Sequence, residues 1–387
     1  DSIFIFLPPA KCIRFFCRSI GYPAMLAEFF PPDAAERPHI PKSASSDKPW
    51  GKKREQAIRL TFQGIIEDAR DSRADLLLIS GDLFHRQPLA RDLKEVNYLF
   101  STIPGTRVVI IAGNHDRIRK SSALLSFTWA PNVTFLMDED LSSVYFEELN
   151  TEVYGFSYHT AEITEAKADN ISLPASRRTR ILMLHGGDAK HVPFDRNALA
   201  ASPFSYIALG HIHKPEVLLE NRMAYAGSPE PLDMTETGPH GYFVGEIDNA
   251  SGHVTSLQFK EVCQAQYIPL VVNVTPQTTN TELSQIIADE IRKRGAGNIY
   301  RFRIRGMRDP DISFDLDLLS GQWNIIEILD ESEPQYDFHA LFAEHPSDMI
   351  GFYIQALMKE DMSPVEKKAL YYGIHALLMT KDERSQP

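Results

Sequence analysis

Four apolar stretches of this chain each stop at a glycine or a histidine, with polar side chains of metal-binding types placed there. Two of them end in Gly-Asp and Gly-Asn-His-Asp: ADLLLISGDLFH (74–85) and TRVVIIAGNHD (106–116). The other two end at histidines: TRILMLHGG (179–187) and FSYIALGHIH (204–213). Short runs that are apolar on both faces predict buried strands of a parallel sheet. Functional groups gather beyond the carboxyl ends of such strands, where a glycine allows a sharp turn.

The segments around these strands predict an α/β fold. Residues 50–73 and 91–103 have the apolar spacing of amphipathic helices, and 241–262 is typical of a hairpin. After about 262 the pattern is strand, helix, strand, and from 337 it is helical with breaks near two prolines. We therefore predict three domains, covering 1–261, 262–336 and 337–387.

Composition is that of an ordinary globular protein. The chain has 387 residues, of which 43% are apolar and 24% are charged. No apolar run approaches the roughly 18 residues that cross a bilayer, and the first residues make a poor signal peptide. Three cysteines without a CxxC pair indicate reduced thiols. We predict a cytoplasmic protein with no membrane association.

The net charge of −12 argues against a general affinity for nucleic acid. A nuclease with local basic patches is still compatible with it, and 176–180, 291–295 and 301–308 are candidate patches. Each of these is more often a solvated face or an edge strand.

The polar residues at the strand ends predict a metal site. Carboxylate, amide and imidazole groups suit hard or borderline divalent metals, and a carboxylate such as Asp82 can bridge two cations. Any one of these residues has an ordinary local role, but four such elements at successive strand ends favour metal binding. The predicted ligands are Asp82, Asn114, His185, His211 and His213.

These motifs have the order and spacing of the calcineurin-like metallophosphoesterases: GD (81–82), GNHD (113–116), His185 and GHIH (210–213). The longer segments around these motifs resemble those of the SbcD-like DNA repair exonucleases, which are the nuclease half of complexes with an SMC-like ATPase. These segments are ISGDLFHRQP, IAGNHDR, GHIHKPE and YAGSPEPLD. The resemblance covers 74–245, and 262–335 more loosely. It implies a layered metallophosphoesterase fold of β-sheets flanked by helices, a small α/β capping domain and a helical C-terminal tail.

The resemblance also implies a dinuclear centre of two divalent ions, of which manganese is the usual one in the family. Asp82 resembles the carboxylate that bridges the two ions. The coordination of one ion would be completed by Asn114, His185 and His211. His213 would belong to the other metal.

Three further residues match catalytic positions of the family. His115 matches the histidine that contacts the phosphate and protonates the leaving oxygen, with Asp116 orienting its ring. His85 matches a histidine, special to the nuclease branch, that handles the phosphate during the reaction.

The first motif of the family is missing. The family places Asp-x-His-Leu-Gly after its first strand, where the Asp and the His bind the metal of His213. Here IRFF (13–16) is the predicted first strand, and the next residues place Cys17 in the Asp position and Ser19 in the His position. A local frame error, a real loss that cripples the second metal, or substitution by another side chain would each explain this. The candidate substitutes are Cys17, Asp33, Glu36 and His39.

The function predicted from these residues is a metal-dependent DNA exo/endonuclease of SbcD type, which loss of the first motif would weaken. The alternatives are a phosphatase or phosphodiesterase acting on a small phosphorylated molecule, and a non-catalytic docking subunit of a DNA repair complex. The expected partners are DNA and an SMC-like ATPase, and a homodimer is left open.

Overall fold

The computed structural model describes residues 12–18 and 51–383. Its strands are β1 (Cys12–Arg18), β2 (Leu76–Ser80), β3 (Arg107–Ile111), β4 (Val133–Leu136), β5 (Ser142–Phe146), β6 (Thr151–Gly155), β7 (Thr179–His185), β8 (Tyr206–Gly210), β9 (Glu216–Leu219), β10 (Met223–Tyr225), β11 (Gly241–Asp248), β12 (His253–Glu261), β13 (Tyr267–Val274), β14 (Ile299–Arg308), β15 (Ile325–Asp330) and β16 (Glu333–Pro334). Its helices are α1 (Gly51–Asp71), α2 (Ala90–Ser101), α3 (Arg196–Ala201), α4 (Asn280–Arg294), α5 (Leu316–Gln322), α6 (Phe338–Glu344), α7 (Met349–Leu357) and α8 (Pro364–Glu383).

Two mixed sheets of the described chain carry the predicted strand ends. Their strand orders are β12-β11-β1-β2-β3-β4 and β5-β6-β7-β8-β10-β9. Strands β2 and β3 are parallel neighbours joined through α2, and β7 and β8 are parallel neighbours in the second sheet. Strands β11 and β12 form the predicted antiparallel hairpin. The α/β prediction is confirmed, with sheets flanked by helices.

Alternation along each strand sorts the apolar side chains into layers, because successive residues point to opposite faces of a sheet. Leu76 and Leu78 of β2 belong to a buried cluster that also contains Ile181 and Met183 of β7, so this cluster lies between the sheets. Leu77 of β2 instead belongs to a cluster with α1 and α2 on the outer face of the first sheet. The second sheet has its own outer cluster.

Contacts divide the chain into two compact units, one of residues 1–268 with 297–299 and the other of 269–296 with 300–387. In the second unit, β14 lies between β13 and β15, and α6, α7 and α8 enclose a small apolar cluster centred on Ile354 and Ile374. The predicted division at 261 and 336 stays a prediction.

The length and apolarity needed to cross a bilayer are not combined in any helix of the described chain. A cytoplasmic location stays a prediction.

Strand β1 is longer than the predicted Ile13–Phe16, and this corrects the sequence-based boundary. It extends beyond Phe16 because antiparallel pairing with β11 continues to Cys17 and parallel pairing with β2 continues to Arg18. The main chain of Cys17 is level with Leu78 and Phe243, inside the sheet. Ser19 and the loop candidates Asp33, Glu36 and His39 lie outside the described residues.

Candidate metal centre

The predicted ligands follow β2, β3, β7 and β8, and the two sheets approach closely where these strands end. The Ser80 hydroxyl donates to the carbonyl oxygen of Ala208 across the sheets at 3.1 Å. Nδ1 of His185 lies 2.9 Å from the carbonyl oxygen of Ser80. A Cβ on Gly210 would overlap that same carbonyl, so only glycine allows this approach. The close contact brings the ends of the two sheets into one site.

Three predicted ligands meet at Nε2 of His185, which is fully buried. This nitrogen lies 3.0 Å from Oδ1 of Asn114 and 3.2 Å from Oδ2 of Asp82. The backbone N–H of His115 donates to Oδ1 of Asp82 at 2.9 Å. A carboxylate, an amide oxygen and an imidazole from three different strand ends therefore converge without an intervening apolar side chain.

Charge within this group keeps Asp82 ionised. Burial alone would raise the pKa of Asp82, but the charge and hydrogen bond of His185, with a smaller contribution from His115, lower it well below its ordinary value. Burial lowers the pKa of His185, and the Asp82 carboxylate outweighs that effect and raises it. An anionic carboxylate is the form that a divalent cation requires.

The backbone is shaped around these side chains. A Cβ on Gly113 would overlap the Asp82 carboxylate and the ring of His185. Asp82 and His211 have φ values of 48° and 89°, a region that side-chain-bearing residues rarely adopt. Such strained conformations cluster at functional sites. The cradle around Asp82 and the types of its donor groups fit a divalent metal.

His211 and His213 follow β8, and each ring has one nitrogen held by a carboxylate. Nε2 of His211 lies 2.8 Å from Oδ2 of Asp188, and Nδ1 of His213 lies 2.5 Å from Oε1 of Glu236. His211 is a neighbour of His185, with ring centroids 5.2 Å apart. The structure thus brings His211 next to the Asp82 group and directs its Nε2 to Asp188.

Sequence reasoning missed these two carboxylates and His191. Nδ1 of His191 lies 2.9 Å from Oδ1 of Asp188, so both histidines contact one carboxylate. Among the described residues, Asp188, His191 and His211 form a group whose ligand atoms all lie within 4.8 Å of one another. The available signal was the segment HGGDAKH (185–191), which places Asp188 directly after the glycines that end β7. No local signal points to Glu236.

The two predicted phosphate-handling histidines lie together. The rings of His85 and His115 stack with centroids 4.7 Å apart and an interplanar angle of 21°. Burial and then the charge of His115 lower the pKa of His85. A neutral imidazole that accepts a proton is therefore favoured at His85.

Asp116 follows His115 in the chain and is buried. Its carboxylate accepts hydrogen bonds from the backbone N–H of Gly113 at 2.7 Å and of Phe84 at 3.2 Å. These contacts tie the loop after β3 to the loop after β2. Burial and then the charge of Asp82 raise the pKa of Asp116 to about 7. The predicted role of Asp116 in orienting the His115 ring stays a prediction.

Comparison with known proteins identifies the class of this domain. Residues 51–215 match the calcineurin-like phosphoesterase family, so this part of the chain is a calcineurin-like metallophosphoesterase domain. The predicted resemblance to this superfamily is confirmed.

Three curated relatives are a metallophosphoesterase and two proteins named for DNA double-strand break repair. The uncharacterized metallophosphoesterase YhaO of Bacillus subtilis is 29% identical over 263 residues, covering 62% of this chain and 62% of YhaO. The DNA double-strand break repair protein Mre11 of Methanocaldococcus jannaschii is 30% identical over 195 residues, covering 47% of this chain and 53% of that protein. The DNA double-strand break repair protein Mre11 of Methanopyrus kandleri is 25% identical over 263 residues, covering 59% of this chain and 57% of that protein. The chain thus spans less than two thirds of each relative's length.

Proposed function

We propose that this protein is a metal-dependent DNA nuclease of SbcD type that hydrolyses phosphodiester bonds by exo- and endonucleolytic cleavage. The convergence of Asp82 and Asn114 on Nε2 of His185, at 3.2 and 3.0 Å, carries the proposal. The stacked His85 and His115 lie at the same strand ends. Relatives whose printed name is DNA double-strand break repair protein support DNA as the substrate.

The side chains that would hold the metals are assigned from this arrangement. Asp82, Asn114, His185 and His211 would bind one divalent ion, and Asp82 with His213 would contribute to the second. Two such ions, when bound, polarise a phosphodiester and make a water nucleophilic at neutral pH. Oxygen and imidazole donors are compatible with manganese, which we propose as the metal.

The protein's own groups supply the remaining chemistry. His115 is exposed and its backbone N–H contacts Asp82, and we assign to its side chain the donation of a proton to the departing oxygen. His85 stacks on His115 and would contact the phosphate during the reaction. Buried Asp116 would keep the loop that carries His115 in place through Gly113.

Cleavage of linear DNA with and without manganese tests the proposal. The purified protein should degrade DNA only with the metal, and His115→Leu should remove the activity. His253→Leu is the matched control, because His253 is exposed on β12 and away from the strand-end motifs. Turnover of small phosphoesters in the absence of any DNA cleavage would point instead to a phosphatase.

A non-catalytic docking subunit is the second candidate. The missing Asp-x-His motif favours it, because that motif would supply two ligands of the His213 metal. Titration calorimetry should give two manganese ions per chain for the nuclease. Fewer than two ions, together with no hydrolysis of any phosphoester, would favour the docking subunit.

We also propose an SMC-like ATPase as the partner, by analogy with the family. Co-purification of the full chain from its own cells should bring an ATPase with it, and its absence at native expression levels would count against this partner. Light scattering of the purified chain distinguishes a monomer from a homodimer.

A further inference from the structure

A basic cavity adjoins the histidine pair. It has a volume of about 360 Å³ and is lined by His85, Arg86, Gln87, His115, Arg117 and Arg119. Three of these six side chains are guanidinium groups, and the described lining contains no carboxylate. This is a local positive surface on a chain whose net charge is −12. A cation cluster of this kind attracts an anion.

The predicted metal ligands do not line this cavity. Asp82, Asn114, His185 and His211 are all absent from its lining, whereas His85 and His115 are shared with the catalytic group. The cavity is therefore a separate subsite, which adjoins the metal centre through the two histidines.

Arg117 is fixed toward the catalytic loop. Its Nη1 donates to the carbonyl oxygen of Asn114 at 2.9 Å, next to a predicted metal ligand. Nε2 of Gln87 donates to the carbonyl oxygen of Arg117 at 2.9 Å, which joins the loops after β2 and β3. The backbone N–H of the intervening Ile118, a buried residue, donates to the carbonyl oxygen of Tyr158 at 2.7 Å. These bonds hold the segment of Arg117 and Arg119 in one conformation.

Arg117 and Arg119 line the same cavity in spite of their like charges. Burial, followed by the positive charge of Arg119, lowers the pKa of Arg117. Repulsion between two guanidinium groups is unfavourable in the free protein and is relieved when an anion binds between them. Guanidinium groups also match the geometry of phosphate oxygens, with which they form paired hydrogen bonds.

We propose that this cavity binds a backbone phosphate of the nucleic-acid strand, next to the phosphodiester that is cleaved. The inference rests on the proposed nuclease function and specifies its substrate. A small phosphoester would occupy the metal centre alone, whereas a polynucleotide places a second phosphate in the cavity. Arg117 is the central contact, and Arg119 and Arg86 add charge.

The experiment compares Arg117→Gln/Arg119→Gln with the wild type and with Arg196→Gln, an exposed arginine on α3. Fluorescence anisotropy of a labelled single-stranded oligonucleotide, in calcium and at several salt concentrations, measures binding without turnover. The slope of log affinity against log salt should fall by about 1 for each phosphate contact removed. Arg117→Lys should keep most of the slope, because it keeps the charge.

Steady-state kinetics with manganese then separates the two phosphate positions. The double variant should lose about tenfold more kcat/KM on DNA than on bis(p-nitrophenyl) phosphate, as expected for removal of a charge-assisted hydrogen bond. The loss on DNA should lie mainly in KM. Equal losses on both substrates would mean that the arginines act on the cleaved phosphate and would overturn the proposal.

The outcomes also distinguish this inference from the proposed function. An unchanged salt slope in the double variant, with normal DNA cleavage by the wild type, would overturn the subsite and leave the nuclease standing. A reduced slope in a protein that cleaves no DNA would support the phosphate subsite and count against the nuclease.

Discussion

The Glu236 carboxylate lies 2.5 Å from Nδ1 of His213, which leaves Nε2 of that ring as the nitrogen available to a metal. In the same way, the Asp188 carboxylate contacts Nε2 of His211 and leaves Nδ1 of that ring available. The carbonyl oxygen of Ser80 contacts Nδ1 of His185 and leaves its Nε2 available. Histidines that bind metals generally donate their second ring N–H to a carboxylate or a carbonyl, which fixes the tautomer and the ring orientation. All three predicted histidine ligands have this support.

Glu236→Gln should weaken metal binding at His213. Burial lowers the pKa of His213, and the hydrogen bond and charge of Glu236 outweigh that effect and raise it. The amide has no negative charge, so the ring loses this charged partner. Loss of such a partner costs about 10- to 100-fold in metal affinity, and manganese titration followed by electron paramagnetic resonance measures it. Glu165→Gln, an exposed carboxylate, is the control. Unchanged affinity for both ions would show that Glu236 does not support a metal ligand.

Asp188→Asn should weaken the ion bound by His211 by a similar factor of about 10 to 100. His191→Gln removes the other imidazole on the same carboxylate and should have a smaller effect, because Asp188 can still hold His211. Calorimetry with each variant measures the affinities. If His191→Gln eliminates an ion completely, Asp188, His191 and His211 are themselves a metal site, and the supporting role is wrong.

Gly113→Ala should prevent metal binding with little loss of the fold. The added methyl group would overlap the Asp82 carboxylate, so this side chain must leave its position. Gly64→Ala is a matched control, since a Cβ there meets nothing within 4 Å and α1 should gain about 0.5–1 kcal/mol of stability. Metal titration and urea denaturation of both variants test the pair. Full metal binding by Gly113→Ala would show that the cradle tolerates a side chain.

Part of this site could be predicted from sequence because its signals are local. The strands β2, β3, β7 and β8 are short apolar runs, and their last residues are followed by recognisable ligand types. In contrast, Glu236 meets His213 only because the chain returns after β10, and the contact of His185 with Ser80 joins residues 105 positions apart. The arginine cavity likewise depends on two loops meeting. Such contacts are set by packing, and no short segment encodes them.

The end of β1 is another feature that packing sets and local sequence does not predict. Local composition predicted a strand over 13–16, whereas pairing with β11 continues it to Cys17 and pairing with β2 continues it to Arg18. Cys17 is level with Leu78 within β2, and Asp82 lies beyond the end of that strand. Sequencing of the coding DNA over codons 12–23 would decide between a frame error and a real loss.

Asp116→Asn should change how the stability of the metal-free protein depends on pH. The pKa of Asp116 is raised from 3.8 to about 7, first by burial and then by the charge of Asp82. The folded state therefore binds this proton more tightly than the unfolded state, and ionisation of Asp116 destabilises the fold as pH rises from about 4 to 7. The variant has no such proton, so its advantage over the wild type should grow across this range and level off above pH 7. Urea denaturation of both proteins in EDTA at pH 5 and pH 8 measures the difference. A difference in unfolding free energy that is the same at both pH values would show that Asp116 titrates at its ordinary pKa.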